Sequence, residues 1–173
     1  MSVLNILKYP DTFLKTKAKP VAKIDDGIRR LISDMIETMY AARGIGLAAT
    51  QVGVDKRVVV LDIPGDQGAG KNLIVLINPE ITWHEGDIKY EEGCLSIPGF
   101  TADIKRFANV TVNGLDKDGN GIEIKAEGLL AIALQHETDH LDGILFIDRL
   151  SKLKRSIIKR KIKKSIEDEK KML

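Results

Sequence analysis

The chain has little of what marks secreted or membrane-spanning proteins. One cysteine, Cys94, among 173 residues leaves no partner for an internal disulfide, and a lone buried or metal-bound thiol suits a reducing compartment. No apolar run reaches the ~20 residues needed to cross a bilayer. The opening stretch "MSVLNILKYPDTFLK" lacks the basic region, long apolar core and small-residue cleavage site of a secretion signal. A cytoplasmic protein with no membrane segment is the expectation. No internal repeat is visible, and there are only three histidines to account for.

What is present is enough for one domain with an appendage, since single domains run roughly 100–200 residues. The appendage shows in the charge. Residues 151–173 carry 10 Lys/Arg against 3 Asp/Glu, leaving 17 against 22 for residues 1–150, so a body of net −5 bears a tail of net +7. The expected division is a main domain over 1–150 and a basic helix over 151–173, joined to that domain or free as a tail.

Residues 24–43 place Ile24, Ile28, Leu31, Ile32, Met35, Ile36 and Met39 at spacings of three and four. With Asp25 and Asp26 in the first turn and Gly44 past the end, this pattern predicts an amphipathic helix. "RVVVLDI" (57–63) and "NLIVLIN" (72–78) read as buried strands flanking the glycine-rich loop "PGDQGAG", the second ended by Pro79. From "ITWHEGDIKYEEGCLS" to "GIEIKAEG" the alternation of Val110 with Val112 and of Ile122 with Ile124 around "DKDGNG" predicts antiparallel strands. A second helix is expected from about Gly128 to Leu141. Helices at both ends with strands between predict an α+β fold, antiparallel sheet packed around a central helix.

That central helix carries "QHETDH", residues 135–140. On a helix, positions 136 and 140 differ by about 40° and their Cβ atoms lie roughly 5–6 Å apart, so His136 and His140 can close on one ion. Glu137, about 100° round the axis, is placed to hold a water beside that ion and act as general base. Leu129, Ile132 and Ala133 share the histidine face, while Leu130, Leu134 and Leu141 line the opposite one. A helix apolar on both sides is a core helix, and buried histidines and carboxylates need partners. Two neutral, hydrogen-bonded core histidines are the plain alternative. His84, in the polar stretch "TWHEGD", reads as a surface or structural residue and not as the third ligand. On its own residues Cys94 stays open between a ligand and a small buried hydrophobe.

Three stretches in order, "GIGLAATQ" (44–51), "EGCLS" (92–96) and "QHETDH" (135–140), together resemble the peptide deformylases, metal hydrolases that remove the N-formyl group from new polypeptides. "ILKYPDTFLKTKAKPV" and "HLDGILFIDRL" extend the resemblance over almost all of residues 1–150. The resemblance implies that Cys94, His136 and His140 bind the metal, that Glu137 is the acid/base, and that Gln51 and the Leu95 N–H stabilise the oxyanion. The implied cofactor is Fe²⁺, with Zn²⁺, Ni²⁺ or Co²⁺ as substitutes that the same ligands suit. The implied substrate is an N-formylmethionyl peptide. Its side chain would enter an apolar pocket of Ile45, Leu129, Ile132 and Ala133, and its backbone would run along Gly44, Ile45 and Gly46, with Glu92 and Gly93 on the other wall.

Two departures from the family pattern stand out. Thr138 replaces a usually hydrophobic residue but, about 200° round the wheel, faces away from the metal, where its hydroxyl can bond the Leu134 carbonyl. "PGFTADIKRF" has Thr101 where some relatives place an arginine near the peptide. "GIGLAA" also matches a loose dinucleotide pattern, with Asp62 downstream, but that motif must follow a strand and open a helix, the reverse of the order here. In the tail, Leu153, Ile157, Ile158, Ile162 and Ile166 recur at helical spacing beneath Lys and Arg. Such a helix is either a solvated face on a packed element or a contact to ribosomal RNA, whose phosphates attract dense positive charge. An ordinary zinc endopeptidase and an RNA-binding module with a structural metal are the competing functions.

Overall fold

The computed structural model describes residues 1–65, 70 and 72–173. Most of the "PGDQGAG" loop therefore lies outside the described residues. The first helix, α1 (Asp26–Ala41), is two residues shorter at each end than its apolar pattern. Asp25 stops it as N-cap, its carboxylate accepting from the Ile28 N–H at 2.9 Å, which satisfies an amide that the helix leaves free. At the other end the left-handed residue is Arg43, at φ 56°, and not the expected Gly44.

Five antiparallel strands follow in sequential order: β1 (Gly46–Ala48), β2 (Val58–Asp62), β3 (Leu73–Cys94), β4 (Ile97–Leu115) and β5 (Gly121–Glu127). Pro79 does not end its strand. β3 continues through it for another 15 residues, and the register slips between Ile77 and Glu80 where proline has no N–H to give the ladder. After β5 come α2 (Gly128–Leu141) and α3 (Lys152–Lys171). This is the α+β architecture that the alternation of patterns predicts.

β2 shows how the core is divided. Val59 and Leu61 pack on one face with Ala131, Leu134 and Leu141 of α2, while Val58 and Val60 pack on the other with Ile32, Met35 and Met39 of α1. Every β2 residue is buried, and Val58 to Leu61 read as a continuous apolar run because helices cover both faces of the strand. α2 is buried from Ala131 to Leu141 apart from a half-buried His136, as expected of a helix apolar on both sides. The Gln135 amide docks it edge-on, donating to the Phe107 carbonyl and accepting from the Phe107 N–H, both at 2.9 Å.

A third cluster joins Leu14, Ile97, Ile104 and Phe146 to Ile158 and Ile162 of α3. Only part of the tail's apolar row serves this contact. Ile158 and Ile162 are buried, whereas Leu153 is 71% exposed and Ile157, about 100° round the helix from Ile158, is 42% exposed. No helix among the described residues is long and apolar enough to cross a membrane.

Candidate metal centre

α2 aims both imidazoles toward the end of β3. His140 Nε2 lies 3.1 Å from His136 Nε2 and 3.3 Å from Cys94 Sγ, and the three donor atoms all fall within 4.8 Å of one another. Tetrahedral coordination at ~2.0–2.1 Å to nitrogen and ~2.3 Å to sulfur spaces such atoms by about 3.3–3.6 Å. The donor set therefore fits one divalent ion after small adjustments.

Two of the three donors are themselves held, while His140 Nδ1 is buried without a partner among the described residues. His136 Nδ1 meets Glu92 Oε1 at 2.9 Å, which turns Nε2 toward the other donors. Arg106 grips the same carboxylate through both oxygens, Nε to Oε2 at 2.7 Å and a terminal nitrogen to Oε1 at 2.8 Å. Its other terminal nitrogen reaches Asp139 at 2.6 Å, and Asp139 is closed from outside by Arg149 at 2.6 and 3.0 Å. The Ser96 N–H points at Cys94 Sγ from 3.4 Å. Arg106, Asp139, Arg149 and Ser96 were not among the residues read from the sequence, where no spacing rule links Arg106 to Glu92 or Asp139, 14 and 33 residues away.

Electrostatics separate the two glutamates. Burial works to raise the Glu92 carboxyl, but bonds from Arg106 and His136 outweigh it and hold the group below the usual range. Glu137 is as buried, yet its Oε2 has no partner among the described residues. Burial pushes its carboxyl up to about 7, the charges of Glu92 and Asp139 adding to the push and His136 and Arg106 opposing it. Burial also lowers both imidazoles. Cys94 and Glu92 reverse this at His136, which rises, while the charge of His136 drives His140 further down.

The site opens on a cleft of about 400 Å³. Every site residue read from the sequence lines it except His140, which is buried beneath. Three more residues, Arg43, Tyr90 and Glu91, form its mouth. Two glycines set its width: a Cβ at Gly46 would lie 2.6 Å from Glu137 Oε1, and one at Gly44 would lie 2.6 Å from a Leu95 methyl. Backbone can come close to the acid only because these side chains are missing. Gln51 is fixed at three points, accepting from the Ala48 N–H at 3.0 Å while its amide nitrogen stands 3.1 Å from Ser96 Oγ and 3.6 Å from Cys94 Sγ. Glu92, expected on the substrate wall, lines the cleft but has both oxygens committed to Arg106 and His136. Thr138 faces away and bonds the Leu134 carbonyl at 2.7 Å, as its place on the wheel predicts. His84 is exposed and stacks on Phe107, with ring centroids 3.7 Å apart. "GIGLAA" opens no α-helix: Gly46 pairs with Leu61 in an antiparallel ladder and only a single 3-10 turn, Ala49–Val52, follows, which disposes of the dinucleotide pattern.

Three imidazole and thiolate donors, an adjoining buried acid and a cleft edged by open backbone define a metal-dependent hydrolase. The polypeptide deformylase family profile matches residues 3–156, and the chain belongs to that family. It is 58% identical to the peptide deformylase of Thermodesulfovibrio yellowstonii over 94% of this chain and 98% of the relative. A second relative, peptide deformylase 1 of Pseudomonas syringae pv. tomato, is 57% identical over 95% and 96%. Among solved structures, a peptide deformylase from Legionella pneumophila superposes with a TM-score of 0.90 at 48% identity, covering 97% of this chain and 98% of the other. A peptide deformylase from Ehrlichia chaffeensis in complex with actinonin gives 0.88 at 44% identity, covering 95% and 98%. The activity of the family is removal of the N-formyl group from nascent peptides, releasing formate and a free amine.

Proposed function

We propose that Cys94, His136 and His140 hold one Fe²⁺ and that Glu137, Gln51 and Leu95 carry out deformylation around it. The observation that supports this most is Glu137 Oε2: a buried, unpartnered carboxylate oxygen beside the donor set and on the wall of the same cleft. A bound divalent ion supplies Lewis acidity, activating water and polarising the formyl oxygen. Glu137 accepts the proton of the attacking water, and later delivers it to the amine that leaves as the formyl C–N bond breaks. Gln51 Nε2 and the Leu95 N–H donate to the developing oxyanion. The Ala48 N–H holds the Gln51 oxygen and so fixes which end of the amide faces the donor set, and one N–H now directed at Ser96 Oγ or Cys94 Sγ turns to the oxyanion. Ile45, Leu129, Ile132 and Ala133 receive the methionine side chain, and the backbone from Gly44 to Gly46 pairs with the peptide as an added strand.

Iron rather than zinc rests on the likeness to the family and on a thiolate–imidazole set that suits both. Purification without oxygen, metal analysis, and formate assay before and after air exposure test it; activity indifferent to air would argue for zinc. Residues 1–150 and α3 form one cytoplasmic unit in this reading, since Ile158 and Ile162 close the third core cluster. The exposed cations of α3 meet ribosomal RNA. Lys154, Lys161 and Lys164 changed to Glu should weaken ribosome binding, with a salt dependence shallower than that of the unchanged chain; unaltered binding would remove the contact.

Glu137→Ala should retain the metal but release no formate from formyl-Met-Ala-Ser. Turnover by that variant, or faster cutting of casein than of the formylated peptide, would overturn the assignment in favour of another chemistry or of an ordinary endopeptidase.

A further inference from the structure

The mouth of the cleft carries a charge that the proposed reaction does not use. Arg43 lines it beside Gly44 and Ile45, with Tyr90 and Glu91 contributed from β3. Arg43 is exposed, and among the described residues no carboxylate lies within ion-pair distance of its guanidinium. Glu91, the rim's opposite charge, already accepts a hydrogen bond from the Thr101 hydroxyl at 2.8 Å.

The backbone at Arg43 is the second observation. α1 closes there, the Gly44 N–H returning to the Met39 carbonyl at 2.9 Å and the Arg43 N–H to Tyr40 at 3.0 Å. That closure puts Arg43 at φ 56°, a conformation that ordinarily selects glycine because a Cβ crowds the following carbonyl. A glycine stands next in the chain, yet an arginine occupies the strained place. Strain kept at the edge of a binding cleft points to a use for the side chain.

The peptide's course says what the use is. If the formylated first residue lies against Gly46, beside Glu137, an antiparallel extended chain places its third residue against Gly44, next to Arg43. First and third side chains then leave the strand on the same side. We infer that Arg43 is a specificity-determining residue that favours formylated peptides with an acidic third residue. This rests on the deformylase reading of the cleft. Glu91 opposes the preference, but with its carboxylate engaged it opposes weakly. Exposed pairs of this kind change affinity about two- to five-fold, less as salt screens them.

The test compares kcat/KM by formate release for formyl-Met-Ala-Asp, formyl-Met-Ala-Ser and formyl-Met-Ala-Lys, all amidated at the C-terminus so that no terminal carboxylate mimics the acidic residue. Wild type should prefer Asp over Lys about two- to five-fold. Arg43→Glu should invert that ratio and Glu91→Gln should enlarge it. Arg43→Gly should bring it near one while raising Tm by about 2–4 °C, because the left-handed strain is released. An Asp/Lys ratio unmoved by Arg43→Glu overturns the inference and leaves the deformylase reading intact. Absence of formate from all three peptides with metal-loaded wild type overturns both.

Discussion

Two glutamates flank His136, and they differ in everything except burial. Glu92, 4% exposed, spends both oxygens on Arg106 and His136 and is held charged. Glu137, 5% exposed, leaves one oxygen without a partner and has its carboxyl pushed up to about 7. In the function proposed above, the same side chain is a fixed support behind His136 in one place and a proton acceptor in the other. What decides the role is the supply of donors: the wall behind α2 is rich in arginine, whereas the cleft in front was cleared of side chains at Gly44 and Gly46.

The contrast can be broken most severely at Arg106. Arg106→Ala leaves the Glu92 and Asp139 carboxylates buried without their cation, and such a loss costs about 3–5 kcal/mol. Thermal unfolding should then fall by on the order of 10 °C. Gln51→Ala acts on the front wall instead. It should cut kcat by about 10²–10³ with the metal retained, because one oxyanion donor is lost; rates close to wild type would remove Gln51 from the chemistry. Glu92→Gln keeps the shape but weakens the support of His136, and titration with metal should show affinity reduced about 10–100-fold. Thr138→Val lies outside both walls. It forfeits only the bond to Leu134, so denaturant titration should record about 1 kcal/mol or less, with metal content as in wild type.

The two walls were unequally legible in the sequence. His136, Glu137 and His140 sit within one helical turn or so, where spacing alone fixes geometry, and even the outward turn of Thr138 followed from the wheel. Gln51 and Cys94 emerged through the family resemblance, since no local rule joins residues 43 apart. Arg106 was invisible for a different reason. In "IKRF" it looks like an exposed strand cation, and only the fold of the β3–β4 hairpin brings it to Glu92, 14 residues away, and to Asp139, 33 away. Pro79 misled in the usual direction, because a bulge lets a strand pass through a residue that cannot pair. The apolar row of α3 was read correctly as helical, but its period could not tell Ile158, which meets the core, from Leu153, which meets solvent.

The division of labour between the two glutamates is tested most directly by a paired measurement on Glu92→Gln and Glu137→Gln, purified without oxygen and assayed together for bound metal and for formate release from formyl-Met-Ala-Ser. Glu137→Gln should hold one divalent ion per chain and release essentially no formate, while Glu92→Gln should bind metal more weakly and regain turnover when metal is supplied in excess. Metal loss in Glu137→Gln with turnover preserved in its loaded fraction, or a loaded Glu92→Gln that stays inactive, would contradict it.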